Sequence, residues 1–322
     1  GVQTCALPIS CPAASAMIQP PRIQLARLPT PLQCLHRLSE ELGVRIWLKR
    51  DDLTDTVASG NKLRKLEYAV GQAAEDGADV LVTWGGIQSN HCRATAATAA
   101  RLGMKSHLVL RGNRPEEPDG NLLLDQLVGA EISFLPLAQY EQMDEVYSQL
   151  QADYAEAGLK TYRIPVGASD EVGLWGYISA CEELRADFES TGISPDAIVS
   201  ATGSGGTLAG LILGNRLSNL NCLVTAFNVC DDESYFVDKI TADFAAWRSR
   251  YQADLHVSAL PINVIDGYVG PGYGRATPAV FETIHHLARL EGIVLDPVYT
   301  GKADRKSTRL NSSHLVISYA VF

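Results

Sequence analysis

The chain predicts an α/β protein whose mainly parallel sheet carries helices on both faces, and three observations lead there. Short apolar runs alternate with helix-period segments along almost the whole length. The runs are continuously apolar, as strands covered on both sides are. At 85–91, 165–170, 202–207 and 296–301 a run ends in a junction of small or polar residues before helical spacing resumes. Sheets of this kind bind ligands just past the carboxyl ends of their strands, so function is expected at those junctions.

Taken in order, Thr30-Pro31-Leu32 leads into a helix through Leu42, and 44–50 reads as a strand closed by Asp51-Asp52. Leu63, Leu66, Val70, Ala73 and Ala74 recur at helical spacing, so a helix runs from Lys62 to about Gly77, with Ser59 or Asn61 as its cap. The buried strand 79–84 enters Gly85-Gly86, and an alanine-rich helix starts at Ser89 and stops at Gly103. Strands at 106–110, 132–135, 162–166, 197–201, 223–229, 262–265 and 293–295 then alternate with helices at 120–128, 141–157, 172–188, 207–217, 234–251 and 277–291. There is no repeat or low-complexity linker, and composition marks no domain boundary.

The 322 residues suffice for two domains or one large one, and 46% hydrophobic with 20% charged residues is an ordinary globular composition. A net charge of -10 argues against a general nucleic-acid or membrane-surface binder. Seven cysteines form no CxxC pair and no metal-ligand spacing, which predicts free thiols in the cytoplasm and no metal. His285-His286 read as surface residues. No run approaches the ~20 apolar residues of a membrane span. The first sixteen residues contain no Lys or Arg and two prolines, a poor signal peptide. Segments 1–10 and 305–322 resemble translated sequencing-adapter read-through; Met17 is the expected start, and both ends are expected to stand outside the fold.

Chemistry is expected first at Ser59-Gly60-Asn61-Lys62-Leu63-Arg64-Lys65. Cations in a first helical turn oppose the helix dipole, so either an anion sits beside Lys62 and Lys65 or the amine is not always charged. Both alternatives suit a lysine amine that condenses with an aldehyde cofactor while a second cation holds the cofactor's phosphate. The bland alternative is two solvated lysines.

Thr202-Gly203-Ser204-Gly205-Gly206-Thr207 follows an apolar strand and opens a helix. Its amides and the Ser204 and Thr207 hydroxyls make an anion cradle, with phosphate the favoured anion, or else a tight turn with no ligand. Leu208 replaces the third glycine of a dinucleotide fingerprint, and the lysine of a P-loop is missing. At 85–91, Ser89 is either a plain N-cap or, with Asn90 and nearby amides, a carboxylate site; His91 alone reads as structural. Tyr273 and Tyr299 lie in Gly- and Pro-rich loops, where a tyrosine can pack, stack on a planar ring or donate a proton.

Together, LKRDD, SGNKLRKLEY, GGIQSNHCR, IPVGASDEVGLWGY, ATGSGGT, GPGYG and DPVYTGK resemble, in order from about Pro29 to Lys302, the pyridoxal-phosphate enzymes of the D-cysteine desulfhydrase and 1-aminocyclopropane-1-carboxylate (ACC) deaminase family. The resemblance implies the tryptophan-synthase-β type of fold (fold type II). Two three-layer domains would be formed by 17–65 with 171–304, the larger, and by 66–170, the smaller, with cofactor between them and a homodimer as the common assembly. It implies that Lys62 links covalently to pyridoxal 5'-phosphate, and that Lys65 with Gly203, Ser204, Gly205, Gly206 and Thr207 holds the phosphate. Asn90 would bond the ring hydroxyl, and Ser89, Asn90 and nearby amides with His91 would receive the substrate. Lys62 would remove the α-proton, with Ser89 assisting from the other ring face, and Tyr273 and Tyr299 would flank the reacting group.

ACC deaminases place a glutamate against the ring nitrogen where this chain has Thr300, as the desulfhydrases do. Thr300 implies a weaker electron sink, sufficient to eliminate a good leaving group from the β-carbon of D-cysteine, giving pyruvate, hydrogen sulfide and ammonia. ACC deaminase, a lyase releasing sulfite from cysteate, and a cofactor-binding protein without activity are the alternatives. The family continues past Ala303 through a helix and a glycine-rich strand; here the adapter-like tail stands instead.

Overall fold

Apolar runs become strands here where both faces are covered, and the computed structural model describes residues 17–140, 142–307 and 314–319. The readings that concern 1–16 lie outside the described residues. The chain begins with β1 (Leu32–Cys34), α1 (His36–Leu42) and β2 (Arg45–Arg50), a single 3-10 turn at Asp51–Leu53, and α2 (Asn61–Glu75). There follow β3 (Val80–Gly86), α3 (Asn90–Leu102), β4 (Lys105–Arg111), α4 (Gly120–Leu127), β5 (Glu131–Leu135), α5 (Leu137–Tyr140), α6 (Met143–Glu156) and β6 (Thr161–Arg163). The last part is α7 (Trp175–Thr191), β7 (Ala197–Thr202), α8 (Gly206–Leu217), β8 (Leu223–Asn228), α9 (Glu233–Tyr251), β9 (Asn263–Ile265), α10 (Pro278–Glu291), α11 (Thr300–Ser307) and β10 (His314–Tyr319).

Two sheets result, one in the order β1-β2-β10-β7-β8-β9 and the other β5-β4-β3-β6. Every pairing is parallel except that of β1 with β2. The alternation of strand and helix therefore delivers the architecture expected of it. Helix α2 packs Leu66, Ala69, Val70 and Ala73 with Leu81 of β3 and Ala94 of α3. Its first turn lies against α7, where an added Cβ on Gly176 would come within 2.6 Å of the Lys65 nitrogen and the Arg64 carbonyl carbon. Only glycine allows that approach, which fixes where Lys62 and Lys65 begin.

Several expectations change. Residues 32–34 form a strand as well as leading into a helix, because Leu32, Gln33 and Cys34 pair antiparallel with Lys49, Leu48 and Trp47 once the chain returns past α1. Residues 293–295 form no strand. Ile293 and Leu295 are buried against Leu38 and Leu287 while Val294 is 53% exposed, so their alternation comes from side-chain packing and involves no ladder. The helix expected at 141–157 is α6, with the short α5 added ahead of it, and the strand expected at 162–166 ends at Arg163, ahead of a 3-10 turn at Val166–Ala168. Neither Ser59 nor Asn61 caps α2; its N-cap is Gly60, at φ 106°, with no side-chain cap. The described parts of 305–322 also enter the fold: α11 reaches Ser307, and His314–Tyr319 pairs in parallel with both β2 and β7. The composition HLVISY favours a strand, and without it two parallel strands would carry unpaired edges.

An ion network locks the first turn of α2 in place. The buried Arg64 donates to both oxygens of Asp51, at 2.9 and 2.7 Å, and to Glu183 of α7 at 2.9 Å. Lys49 of β2 reaches Glu183 and Asp187, each at 2.5 Å. Burial alone would raise the Glu183 carboxyl; the hydrogen bonds and charges of Arg64 and Lys49 overcome it and lower the group from 4.5 to about 2. Since the folded value is depressed, the stability it contributes, roughly 3 kcal/mol, is present above about 4.5 and lost as pH falls towards 2. Denaturant unfolding of wild type and Glu183→Gln at pH 6 and pH 3 checks this: the stability gap between them narrows at pH 3, and a constant gap contradicts it.

Candidate active site

Two helix starts without side-chain caps converge on one cavity, and this is the site's main physical feature. Helix α8 begins after Gly205, at φ 81°, and like α2 it has no side-chain cap. Apart from the Gly206 amide, which Ser169 Oγ accepts, the first amides of both helices are left with hydrogen-bonding capacity and a positive field. Asn61, the first residue of α2, donates from Nδ2 to Thr207 Oγ1 of α8 at 3.1 Å and so ties the two ends together. Lys62, Asn90, Gly203, Ser204, Gly205, Thr207 and Tyr299 all line this cavity.

Both lysines are buried, Lys62 at 7% exposure and Lys65 at 0%. Burial lowers the Lys62 amine from 10.5 to about 8. Burial, then the charge of Lys62, lowers Lys65 well below the ordinary lysine value. The hydrogen-bond partner of the Lys65 amine among the described residues is neutral, Ser169 Oγ at 3.3 Å. Asp170 and Asp243 favour its charged form from beyond hydrogen-bond reach and do not offset the burial, and an anion in contact would.

Ser169 was not singled out from the sequence, yet it joins the parts. Its hydroxyl lies 2.8 Å from Ser204 Oγ and accepts from the Gly206 amide at 3.2 Å. An added Cβ on Gly206 would fall 2.5 Å from that oxygen, and one on Gly203 would lie 3.0 Å from the Tyr299 ring. Ser200 was also missed, and Thr202 was read only as the start of the turn. They are buried at the end of β7, line the same cavity and carry hydroxyls without partners, as does Asn61 Oδ1. Two hydroxyls at i and i+2 ending an apolar strand are the signal that could have found them.

Lys62 also lines an adjoining cleft of about 270 Å³ with Gly85, Gly86, Ser89, Asn90, His91 and both tyrosines. Ser89 caps α3 by accepting from the Cys92 amide at 3.2 Å, which leaves its own proton for a ligand. His91 is held neutral by burial and by the Lys62 and Lys65 charges. Thr83 donates its hydroxyl to Ile164 O at 2.8 Å, so His91 Nε2, 2.9 Å away, is the donor to Thr83 and Nδ1 is left as a buried acceptor without a partner. The hydroxyls of Tyr273 and Tyr299 lie 2.5 Å apart. Burial, then the neighbouring Tyr273, raises Tyr299 well above the ordinary phenol value, so it stays protonated.

Thr300 stands apart from these residues. It lines neither cavity, and its hydroxyl donates to Asp296 Oδ2 at 2.5 Å and accepts from the Asp296 amide at 2.9 Å. Its hydroxyl thus holds the turn that carries Tyr299. Among the described residues no His, Cys, Asp or Glu group could hold a metal, and no helix is long and apolar enough to cross a membrane.

An anion site with a buried amine, partnerless hydroxyls and an amide oxygen fits a phosphorylated aldehyde on a polar ring, and comparison with known proteins agrees. Residues 23–305 match the family described as pyridoxal-phosphate dependent enzyme, and the chain belongs to that family, as an enzyme of fold type II. Within it, the chain is 43% identical to a Thermotoga maritima protein provisionally named 1-aminocyclopropane-1-carboxylate deaminase, over 88% of this chain and 89% of that one. It is 40% identical to a protein of Salmonella paratyphi B named D-cysteine desulfhydrase, over 88% and 86%. A crystal structure described as an ACC deaminase homologue superposes with a TM-score of 0.86 at 33% identity, covering 94% of this chain and 92% of that one.

Proposed function

We propose that the enzyme eliminates the β-substituent of a small amino acid, with D-cysteine as substrate and pyruvate, hydrogen sulfide and ammonia as products. Support comes first from the cavity under the 202–207 turn, whose lining among the described residues is Lys62 and neutral groups, the carboxylate of Asp231 lining only the adjoining cleft. Pyridoxal phosphate, when bound, would draw electrons away from the substrate's Cα. Hydroxyls such as those of Ser200 and Thr202 beside its ring, in place of a carboxylate, would make it a weaker electron sink, enough to expel thiolate. The name of the Salmonella relative points the same way.

In this reading Lys62 holds the cofactor covalently, and Lys65 with Gly203, Ser204, Gly205, Gly206 and Thr207 holds its phosphate. Ser89 and the amides opening α3 orient the substrate carboxylate, Asn90 bonds the ring hydroxyl, and His91 Nδ1 accepts from the substrate. The Lys62 amine removes the Cα proton, and the tyrosine pair supplies a proton at the departing sulfur. Thr300 acts as a positioning residue through the Asp296 turn. We place the larger domain at 17–65 with 171–304 and the smaller at 66–170, and propose a cytoplasmic homodimer.

Incubating the cofactor-loaded enzyme with D-cysteine, L-cysteine, cysteate and ACC, while following keto acid, sulfide and sulfite, tests the substrate. Pyruvate with sulfide from D-cysteine is expected. The 2-oxobutyrate formed from ACC in preference, in line with the name of the Thermotoga relative, would replace this reading with deamination.

A further inference from the structure

Arg93 of α3 is buried, at 4% exposure, and lines neither the cavity nor the cleft. Burial lowers its guanidinium below the ordinary value, and the charge of Asp125 on α4, itself fully buried, opposes that. Neither Asp125 oxygen has a hydrogen-bond partner among the described residues, so Asp125 acts on Arg93 by charge alone. Such a pair is weak support for stability, since apolar side chains of like volume would serve as well. What sets this one apart is what the guanidinium holds.

Its two arms go to two turns. Nη2 donates to the Ser59 carbonyl at 2.8 Å, and Ser59 directly precedes Gly60, the N-cap of the helix that carries Lys62. Nη1 donates to Asn121 Oδ1 at 2.8 Å. Asn121 passes that hold to the other turn, because its Nδ2 donates to Gln88 O at 3.0 Å and its amide to Gln88 Oε1 at 2.8 Å. Gln88 directly precedes Ser89, the cap of α3. An added Cβ on Gly120 would fall 2.6 Å from Gln88 Oε1, so glycine is what lets α4 come this close. One planar cation thus joins the turn before Lys62 to the turn before Ser89 and Asn90. The fork of a guanidinium is rigid, so the angle between its arms fixes the spacing of the two turns, whereas a lysine ammonium is one centre on a flexible stem.

We propose that Arg93 is a positioning residue that sets the distance between the Lys62 amine and the seat of the substrate carboxylate at the start of α3, with Asn121 as its second arm. This rests on the reading above in which Lys62 and Ser89 serve one substrate. Arg93 acts through the two turns and touches no reacting atom. A displacement of about 1 Å between amine and Cα is enough to cost proton transfer roughly 10²-fold.

The test combines hydrogen exchange of the cofactor-loaded enzyme, read in peptides covering 54–63 and 86–92, with kcat and KM on the amino acid it converts, in wild type, Arg93→Lys and Asn121→Ala. Arg93→Lys keeps the charge opposite Asp125 and loses the fork. Exchange is expected to rise roughly tenfold or more in both peptides and kcat to fall roughly 30-fold or more, while the affinity for pyridoxine 5'-phosphate stays within about threefold. Asn121→Ala cuts one arm and leaves the cation in place, so exchange rises in 86–92 only and kcat falls less. An Arg93 that merely stabilised the fold would lower the melting temperature and the yield of active enzyme, but would leave kcat per bound cofactor unchanged. Wild-type exchange in either peptide of Arg93→Lys, or a kcat within about threefold of wild type, overturns the proposal. Should Arg93→Lys not fold, Asn121→Ala decides, and exchange at the wild-type rate in its 86–92 peptide overturns the link. If wild type converts none of the candidate amino acids, the elimination reading fails, and the exchange data still uphold or overturn the link by themselves.

Discussion

Replacing Lys62 by alanine is expected to lower turnover at least ~10³-fold, because one amine both holds the cofactor and moves the substrate's Cα proton. The reason is the burial of its amine in a cavity lined by two uncapped helix starts. With its value lowered to about 8, roughly a fifth of the amine is neutral at pH 7.4, against about one part in a thousand for an ordinary lysine. Substitution removes the nucleophile and leaves the phosphate cradle standing. The variant should therefore still bind pyridoxine 5'-phosphate, which lacks the aldehyde, with wild-type affinity. Rates of keto-acid release and equilibrium dialysis of that analogue check both halves. A variant that keeps a tenth of wild-type turnover contradicts the role.

The Lys65→Met change is expected to have opposite effects on cofactor affinity and on stability. Lys65 is fully buried and its hydroxyl partner is neutral, and burial with the charge of Lys62 outweighs the attraction of Asp170 and Asp243. A methionine of similar length removes the cost of burying that charge, so the protein without cofactor gains roughly 1–3 kcal/mol. The phosphate loses a buried charge-assisted partner, and the dissociation constant for cofactor rises about 30-fold or more. The pH dependence has a definite sign. A lysine whose folded value lies below its unfolded value destabilises the fold when both states are charged, and this is relieved as pH rises towards the ordinary lysine range. The unloaded wild type should therefore gain on the variant as pH rises from 7 to 10. Denaturant melts with and without cofactor measure this, and an unloaded variant less stable than wild type at pH 7 contradicts the account.

The parts of this site that were legible in the sequence are the local ones. Lys62, the 202–207 turn and Ser89 each stand where an apolar strand or a glycine stops and a helix begins, and such boundaries are written in consecutive residues. Two cations in one helical turn announced an anion without any knowledge of the fold. The 165–170 junction was legible too, but nothing local marks Ser169 within it, since it meets Lys65 across 104 residues of chain. Ser200 sits in an apolar strand, where a hydroxyl attracts no notice until the cavity beside it is known.

Long-range pairing explains most of what was misplaced in the fold. Leu32–Cys34 is a strand only because β2 turns back to meet it, and 293–295 is not one because β2 and β7 take His314–Tyr319 between them. Thr300 shows a further limit. Its position in the chain singles out the right turn, but whether its hydroxyl serves a ligand or its own helix start depends on Asp296, four residues earlier.

The most direct measurement is to reduce the cofactor-loaded enzyme with borohydride, digest it and locate the phosphopyridoxyl mass by peptide sequencing in the mass spectrometer. The account predicts that mass on Lys62, with Lys65 unmodified. Finding it on Lys65 or on another lysine, with Lys62 free in active enzyme, would contradict it.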